Sequence, residues 1–197
     1  MIYRLGDYVL RPPEPVDLGA LYQQKNDPEI AAMLGGFSTG YSMADLEDWL
    51  ESHRQRQDEV LWVIAQADTG RCLGHVGLYK IDYRVRAAEL AIMIGERAFW
   101  GRGLGRACTR FAMDYGFREL NLNRISLMVL ATNERAVRLY HSLGFRDEGR
   151  LRQAQYRGGR YVDVLVMALL RQEYLQSHLV DERGGVCEGV CAEGNRR

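Results

Sequence analysis

The sequence predicts a mixed α/β domain built on one central, partly antiparallel sheet. Three observations predict it. Three apolar runs, Leu61 to Ala67, Cys72 to Tyr83 and Ala88 to Ile94, follow one another with only short polar breaks. A strand–loop–helix–strand–helix order then occupies Ala88 to Leu143, and a late hairpin folds across Gly158-Gly159. The chain has 197 residues, enough for one domain with a sizeable core, and its 47% hydrophobic and 26% charged residues are those of an ordinary globular protein.

The elements are justified in order. Val9-Leu10-Arg11 reads as a short strand stopped by Pro12-Pro13. Leu18 to Gln24 is a short helix with Asp17 as its N-cap. Pro28 opens another helical turn, which Gly35-Gly36 breaks. Ser42-x-x-Asp45 resembles a capping box, with a helix running on to about Arg56. The strand Leu61 to Ala67 ends in an Asp68-Thr69-Gly70 turn, followed by the strands Cys72 to Tyr83 and Ala88 to Ile94. Apolar residues at 104, 107, 108, 111, 112 and 115 have helical spacing, so Leu104 to Leu120 is a helix with one buried face. Ile125 to Leu130 is a strand, and Glu134 to Leu143 a helix with Gly144 as its C-cap. Phe145 to Gln155 and Tyr161 to Leu169 form the hairpin. Residues 1–176 read as a single domain and 177–197 as a polar, Gly-rich tail.

Charge narrows the function. Lys plus Arg and Asp plus Glu both number 26, so the basic excess of a nucleic-acid binder is missing and that class is set aside. No apolar run is long enough to span a bilayer and no signal peptide is legible, so the expected location is cytoplasmic, with no membrane partner. Cys72 and Cys108 sit in apolar stretches as small core residues. Cys187 and Cys191 are spaced C-x-x-x-C in the tail, without a companion histidine. The histidines at 53, 75, 141 and 178 show no ligand spacing, and no metal is expected.

The segment WGRGLGRA, Trp100 to Ala107, carries the chemistry. It holds three glycines and two arginines directly after an apolar strand and opens a helix. Glycines let backbone N–H groups approach a ligand, and a helix start adds unpaired N–H groups and a positive dipole end. On the loop alone, a phosphate site and a merely flexible turn both remain open. A dinucleotide-binding loop fits less well, because the full G-x-G-x-x-G is absent. Farther on, Asn133 stands where a strand ends and a helix begins, and Tyr140 lies seven residues on, on nearly the same helix face.

On these residues the segment Glu89 to Gly149 resembles the core of the GNAT superfamily of acetyl-CoA-dependent N-acetyltransferases. WGRGLGRA is similar to the family's pyrophosphate loop, Q/R-x-x-G-x-G/A, with Trp100 in place of the usual Gln or Arg. TNERAVRLYHSLGF is similar to its asparagine-to-tyrosine helix and following strand. The likeness covers about residues 8 to 176. Within the superfamily the chain looks closest to the branch containing the ribosomal-protein N-terminal acetyltransferases, and spermidine and amino-sugar acetyltransferases are close relatives in that pattern. The resemblance implies a central, mostly antiparallel sheet flanked by helices, with two strands splayed at the site of acetyl-CoA. It implies that Ile92, Met93 and Ile94 pair with the pantetheine arm and that Arg102, Gly103, Leu104, Gly105 and Arg106 hold the pyrophosphate. Asn133 would contact the cofactor, and Tyr140 would lie at the thioester as the general acid.

Glu89 is the candidate general base. A carboxylate on a strand otherwise made of Ala, Leu, Ile and Met is costly to bury without a role or a partner. A salt bridge with an arginine such as Arg86 is the plain alternative. The acceptor pocket is expected from the segment between Met33 and Trp49, where MLGGFSTGYS reads as a lid or as an ordinary connection, and from the late hairpin. Asp45, Glu47 and Asp48 would attract a polycation, or simply form a solvated helix face. The resemblance implies that the acceptor is a primary amine of a small molecule or of a protein N-terminus. A non-catalytic acetyl-CoA sensor is the competing reading. An exposed sheet edge or hairpin would make a homodimer easy.

Overall fold

The computed structural model describes residues 1–35 and 39–176. Eight strands form one sheet in the order β1-β2-β3-β4-β5-β6-β8-β7. They are β1 (Tyr3–Leu5), β2 (Tyr8–Arg11), β3 (Val60–Gln66), β4 (Cys72–Asp82), β5 (Ala87–Ile94), β6 (Arg124–Leu130), β7 (Arg146–Arg157) and β8 (Arg160–Leu170). Every neighbouring pair is antiparallel except β5 and β6. The helices include α1 (Leu18–Lys25), α2 (Pro28–Met33), α3 (Met43–Gln55), α4 (Leu104–Asp114) and α5 (Glu134–Ser142), and residues 171–176 are also helical. The expected mixed fold is the observed one.

Strand alternation assigns the two faces. Trp62 and Ile64 of β3 pack with Leu78, Leu90 and the α4 residues Cys108 and Ala112 on one face. Val63 and Ala65, the residues between, pack with Met93, Leu21 of α1 and Leu46 of α3 on the other. The sheet is thus a middle layer, covered by α1–α3 on one side and by α4 and α5 on the other. Trp62 lies edge-on to both Phe111 and Tyr115, with centroids 5.2 and 4.9 Å away, which fixes α4 over the sheet.

Several local expectations need correction. A first strand, Tyr3–Leu5, pairs with β2 and was not legible, being only three residues long. Asp17 occupies the N-cap of α1 but its side chain makes no capping hydrogen bond to that helix. Its carboxylate takes a bidentate pair from Arg11, at 2.7 Å for each bond, and the Glu14 N–H at 2.8 Å. A buried carboxylate gains more from a charged fork than from one amide. The helix expected to reach Leu120 is α-helical to Asp114 and then widens to a π-turn over Tyr115–Glu119. Gly116 in that turn lies flat on the sheet, where a Cβ would stand 2.8 Å from Ile125 Cδ1. Ser42 and Asp45 do form the capping box of α3, and Gly144 ends α5 with φ +93°. The β7–β8 hairpin turns on Gly158 and Gly159, both at positive φ, as a two-residue primed turn requires. Gly36, Phe37 and Ser38 of the expected lid, and the tail 177–197 with Cys187 and Cys191, lie outside the described residues.

Candidate active site

The site is a fault in the sheet. β5 and β6 pair only through Ala87, Ala88 and Glu89 against Arg124, Ile125 and Ser126. From Leu90 onward the strands diverge, while β5 stays paired to β4 as far as Ile94. The gap is a cleft of about 330 Å³, walled by Leu90 to Ile94 on one side and Met128 to Leu130 on the other.

The ladder decides which main-chain groups face it. The Gly95 N–H donates to the Leu73 carbonyl (2.8 Å), so odd-numbered β5 residues turn toward β4. Leu90, Ile92 and Ile94 therefore turn their N–H and C=O groups into the gap. Met93, expected to do the same, directs its main chain to β4 and contributes side-chain packing instead. The Ile94 carbonyl already accepts a hydrogen bond from the Trp100 indole N–H at 2.9 Å.

At the open end of the gap the chain makes the glycine loop. Gly101 (φ +73°) and Gly103 (φ +83°) both occupy the left-handed region, and Gly103 is the N-cap of α4. The first-turn N–H groups of α4, at Leu104, Gly105 and Arg106, have no intrahelical acceptor. Gly101, Gly103, Gly105 and Arg106 border the cleft. Arg106 donates to the Ser142 hydroxyl at 2.6 Å, which ties the start of α4 to the end of α5. Arg102 is exposed and Leu104 is a core residue, 2% exposed, so neither borders the cleft.

Helix α5 supplies the far wall. The Asn133 side-chain oxygen accepts the Ala136 N–H (3.2 Å), capping the helix, and its amide donates to the Met33 carbonyl at 3.4 Å. Tyr140 borders the cleft, is 7% exposed and stands edge-on to Phe145. Burial pushes its phenol up to about 12, so it stays protonated at neutral pH. Its hydroxyl has no hydrogen-bond partner among the described residues. Glu89 lies at the last paired step before the gap. It is 46% exposed at the side chain, is bridged to Lys80 at 2.9 Å and does not border the cleft.

Sequence reasoning missed two groups. Ile30, Met33, Leu34 and Gly35 roof the cleft from the α2 side, held by the Asn133 amide and by Arg157, which donates to the Leu34 carbonyl at 3.2 Å. MLGGFSTGYS had marked the segment but not its anchors. Arg135, two residues beyond Asn133, borders the cleft with its guanidinium carbon 4.1 Å from the Trp100 ring centroid. No periodicity singles it out. Among the described residues the only charged side chains on the cleft are Arg106 and Arg135, and no helix is long and apolar enough to cross a membrane.

This arrangement can seat an extended chain ending in phosphates. A strand-like arm can pair with Ile92 in the gap, an anion can meet the free N–H groups at α4, and no Cβ obstructs Gly101 or Gly103. A family profile for the acetyltransferase (GNAT) domain matches residues 7–146. The spermidine N(1)-acetyltransferase of Escherichia coli (strain K12) is 34% identical over 170 residues, covering 86% of this chain and 89% of the relative. That of Vibrio cholerae serotype O1 is 35% identical over 167 residues, covering 84% and 94%. The crystal structure of spermidine N-acetyltransferase from Vibrio cholerae in complex with CoA and spermine superposes with a TM-score of 0.77 at 33% identity, covering 86% of this chain and 98% of that one.

Proposed function

The chain belongs to the GNAT acetyltransferase family and is an acetyl-CoA-dependent N-acetyltransferase; from that premise we propose which residues carry the transfer and which amine receives it. The observation that carries the assignment of residues is the opening of β5 from β6 beside the glycine loop.

The loop fixes the polarity of the site. With the donor's diphosphate on the first turn of α4 near Gly103, Gly105 and Arg106, its arm runs back along Ile94 and Ile92, and the thioester comes to the closed end of the gap. Arg102 adds charge from the exposed rim. Asn133 orients the arm through its amide. Tyr140, protonated and without a competing partner among the described residues, donates a proton to the departing thiolate, whose thiol has a pKa of about 8.5. The acceptor ammonium, with a pKa near 10, must lose a proton before it attacks. Glu89 stands at the vertex of the splay and takes that proton through water. Residues 1–176 act as one acetyltransferase domain.

The acceptor proposed first is a polyamine, supported by the relatives named above. A second reading, a protein N-terminus, is favoured by one observation: the cleft presents no carboxylate among the described residues for a polycation's remaining ammonium groups. We further place the protein in the cytoplasm as a homodimer paired along the exposed β7 edge, which light scattering after gel filtration tests.

The deciding experiment is CoA-thiol release from acetyl-CoA with spermidine, Ser- and Ala-starting peptides, aminoglycosides and nucleotide-linked amino sugars. A blank without acceptor accounts for the protein's own thiols. Turnover with one class, lost in Tyr140→Phe, establishes acceptor and acid together. Tight acetyl-CoA binding without turnover on any of them would favour the sensor reading.

A further inference from the structure

Trp100 does two things in the structure. Its indole N–H holds the Ile94 carbonyl at 2.9 Å, which anchors the ring at the end of β5 where the cleft meets the glycine loop. Its face carries the guanidinium of Arg135, 4.1 Å from the ring centroid. Both residues border the cleft, one from each side of the gap.

Arg135 has its guanidinium carbon over the ring, and its N–H donors meet no strong acceptor among the described residues. A guanidinium lying on an aromatic face keeps its N–H donors in its own plane, pointing outward in the fork that fits a phosphate. Among the described residues, the one hydrogen-bond contact of Arg135 is from Nη2 to the Met33 sulfur at 3.8 Å, a weak acceptor. Arg135 has no carboxylate partner among the described residues, unlike Arg138 one turn on, which bridges Glu134 at 3.0 Å. The position of Trp100 adds to this. It is the first residue of the loop, where the resembling pattern carries Gln or Arg, so the indole removes a polar side chain from that point and brings a cation back to it from α5.

We propose that Arg135 is a phosphate-binding residue for the acetyl donor and that Trp100 is the residue that positions it. The proposal rests on the acetyl-CoA-dependent reading above.

Titration calorimetry on the full chain tests it, with acetyl-CoA, acetyl-dephospho-CoA and acetyl-pantetheine as ligands. Arg135→Gln is expected to weaken acetyl-CoA roughly tenfold, the loss of one charge-assisted hydrogen bond, and to spare acetyl-pantetheine, which carries no phosphate. A penalty that persists with acetyl-dephospho-CoA assigns Arg135 to the diphosphate; one that vanishes there assigns it to the 3′-phosphate. Either supports the proposal. Trp100→Leu, its folding checked by thermal melting, is expected to reproduce part of the loss and to add little in the Arg135→Gln background, which a purely structural role for the indole would not produce. Wild-type affinity in Arg135→Gln, or an equal loss for acetyl-pantetheine, overturns the proposal. Failure of the unaltered chain to bind acetyl-CoA overturns the functional reading itself, and shows before any variant is made.

Discussion

The Lys80 ammonium lies 2.9 Å from a carboxylate oxygen of Glu89, across the β4–β5 ladder and at the point where β5 parts from β6. The pair is exposed, at 72% and 46% of the two side chains, so its worth to stability is small. Its place at the vertex of the cleft gives it another use in the proposed mechanism, since the lysine holds the carboxylate in position there.

Glu89→Gln is therefore expected to lower kcat by about 10²-fold, in the range of a lost general base, with the KM for acetyl-CoA little changed. Steady-state kinetics with each substrate varied checks this. An unchanged kcat would leave Glu89 as half of a surface ion pair.

Tyr140→Phe is expected to lower kcat by about 10²-fold while acetyl-CoA still binds. The pH profile tests the same role. The active form of Tyr140 is the protonated one, and burial pushes its phenol up to about 12. Activity should climb with pH as the amine deprotonates near 10, with no descending limb from this tyrosine below that pH. A fall beginning near pH 8 would assign the acid to another group.

Gly103→Ala places a Cβ on a residue at φ +83°, with no neighbour within 4 Å. The cost is backbone strain, about 1–2 kcal/mol, and a reoriented first turn of α4. Both the melting temperature and acetyl-CoA affinity should fall. Gly149→Ala, at a glycine without positive φ and with open space around it, is the control expected to change neither.

His75 predicts an acid limit. Its Nδ1 is shut off from solvent without a hydrogen-bond partner among the described residues, and burial lowers its pKa to about 3. The folded state thus binds the proton less readily than the unfolded one, whose histidine titrates near 6.5. Stability is full above pH 6.5 and declines as pH falls toward 3, by at most about 1.4 kcal/mol per pH unit. Thermal melts from pH 8 to 4 should show the decline, and His75→Phe should flatten it.

The glycine loop, the helix through Asn133 and Tyr140 and the three central strands were legible because each depends on residues close in sequence. Left-handed turns need glycine, an amphipathic helix repeats within a few residues, and a buried strand shows as an apolar run. The same locality explains the misses. Asp17 has the chemistry of an N-cap, but Arg11 is nearer to its carboxylate than any free N–H of α1. Glycine at 116 announces nothing by itself until the sheet lies beneath it.

By itself, the sequence determined the mixed fold, the glycine-rich turn after β5, and the placing of Asn133 and Tyr140 on one helix. Only the tertiary structure decided that β5 leaves β6 after Glu89, that Ile92 and Ile94 rather than Met93 face the gap, and that Arg135 lies on Trp100. The reason is physical: strand register and the meeting of side chains from different elements depend on which surfaces pack together, and no local spacing along the chain records that.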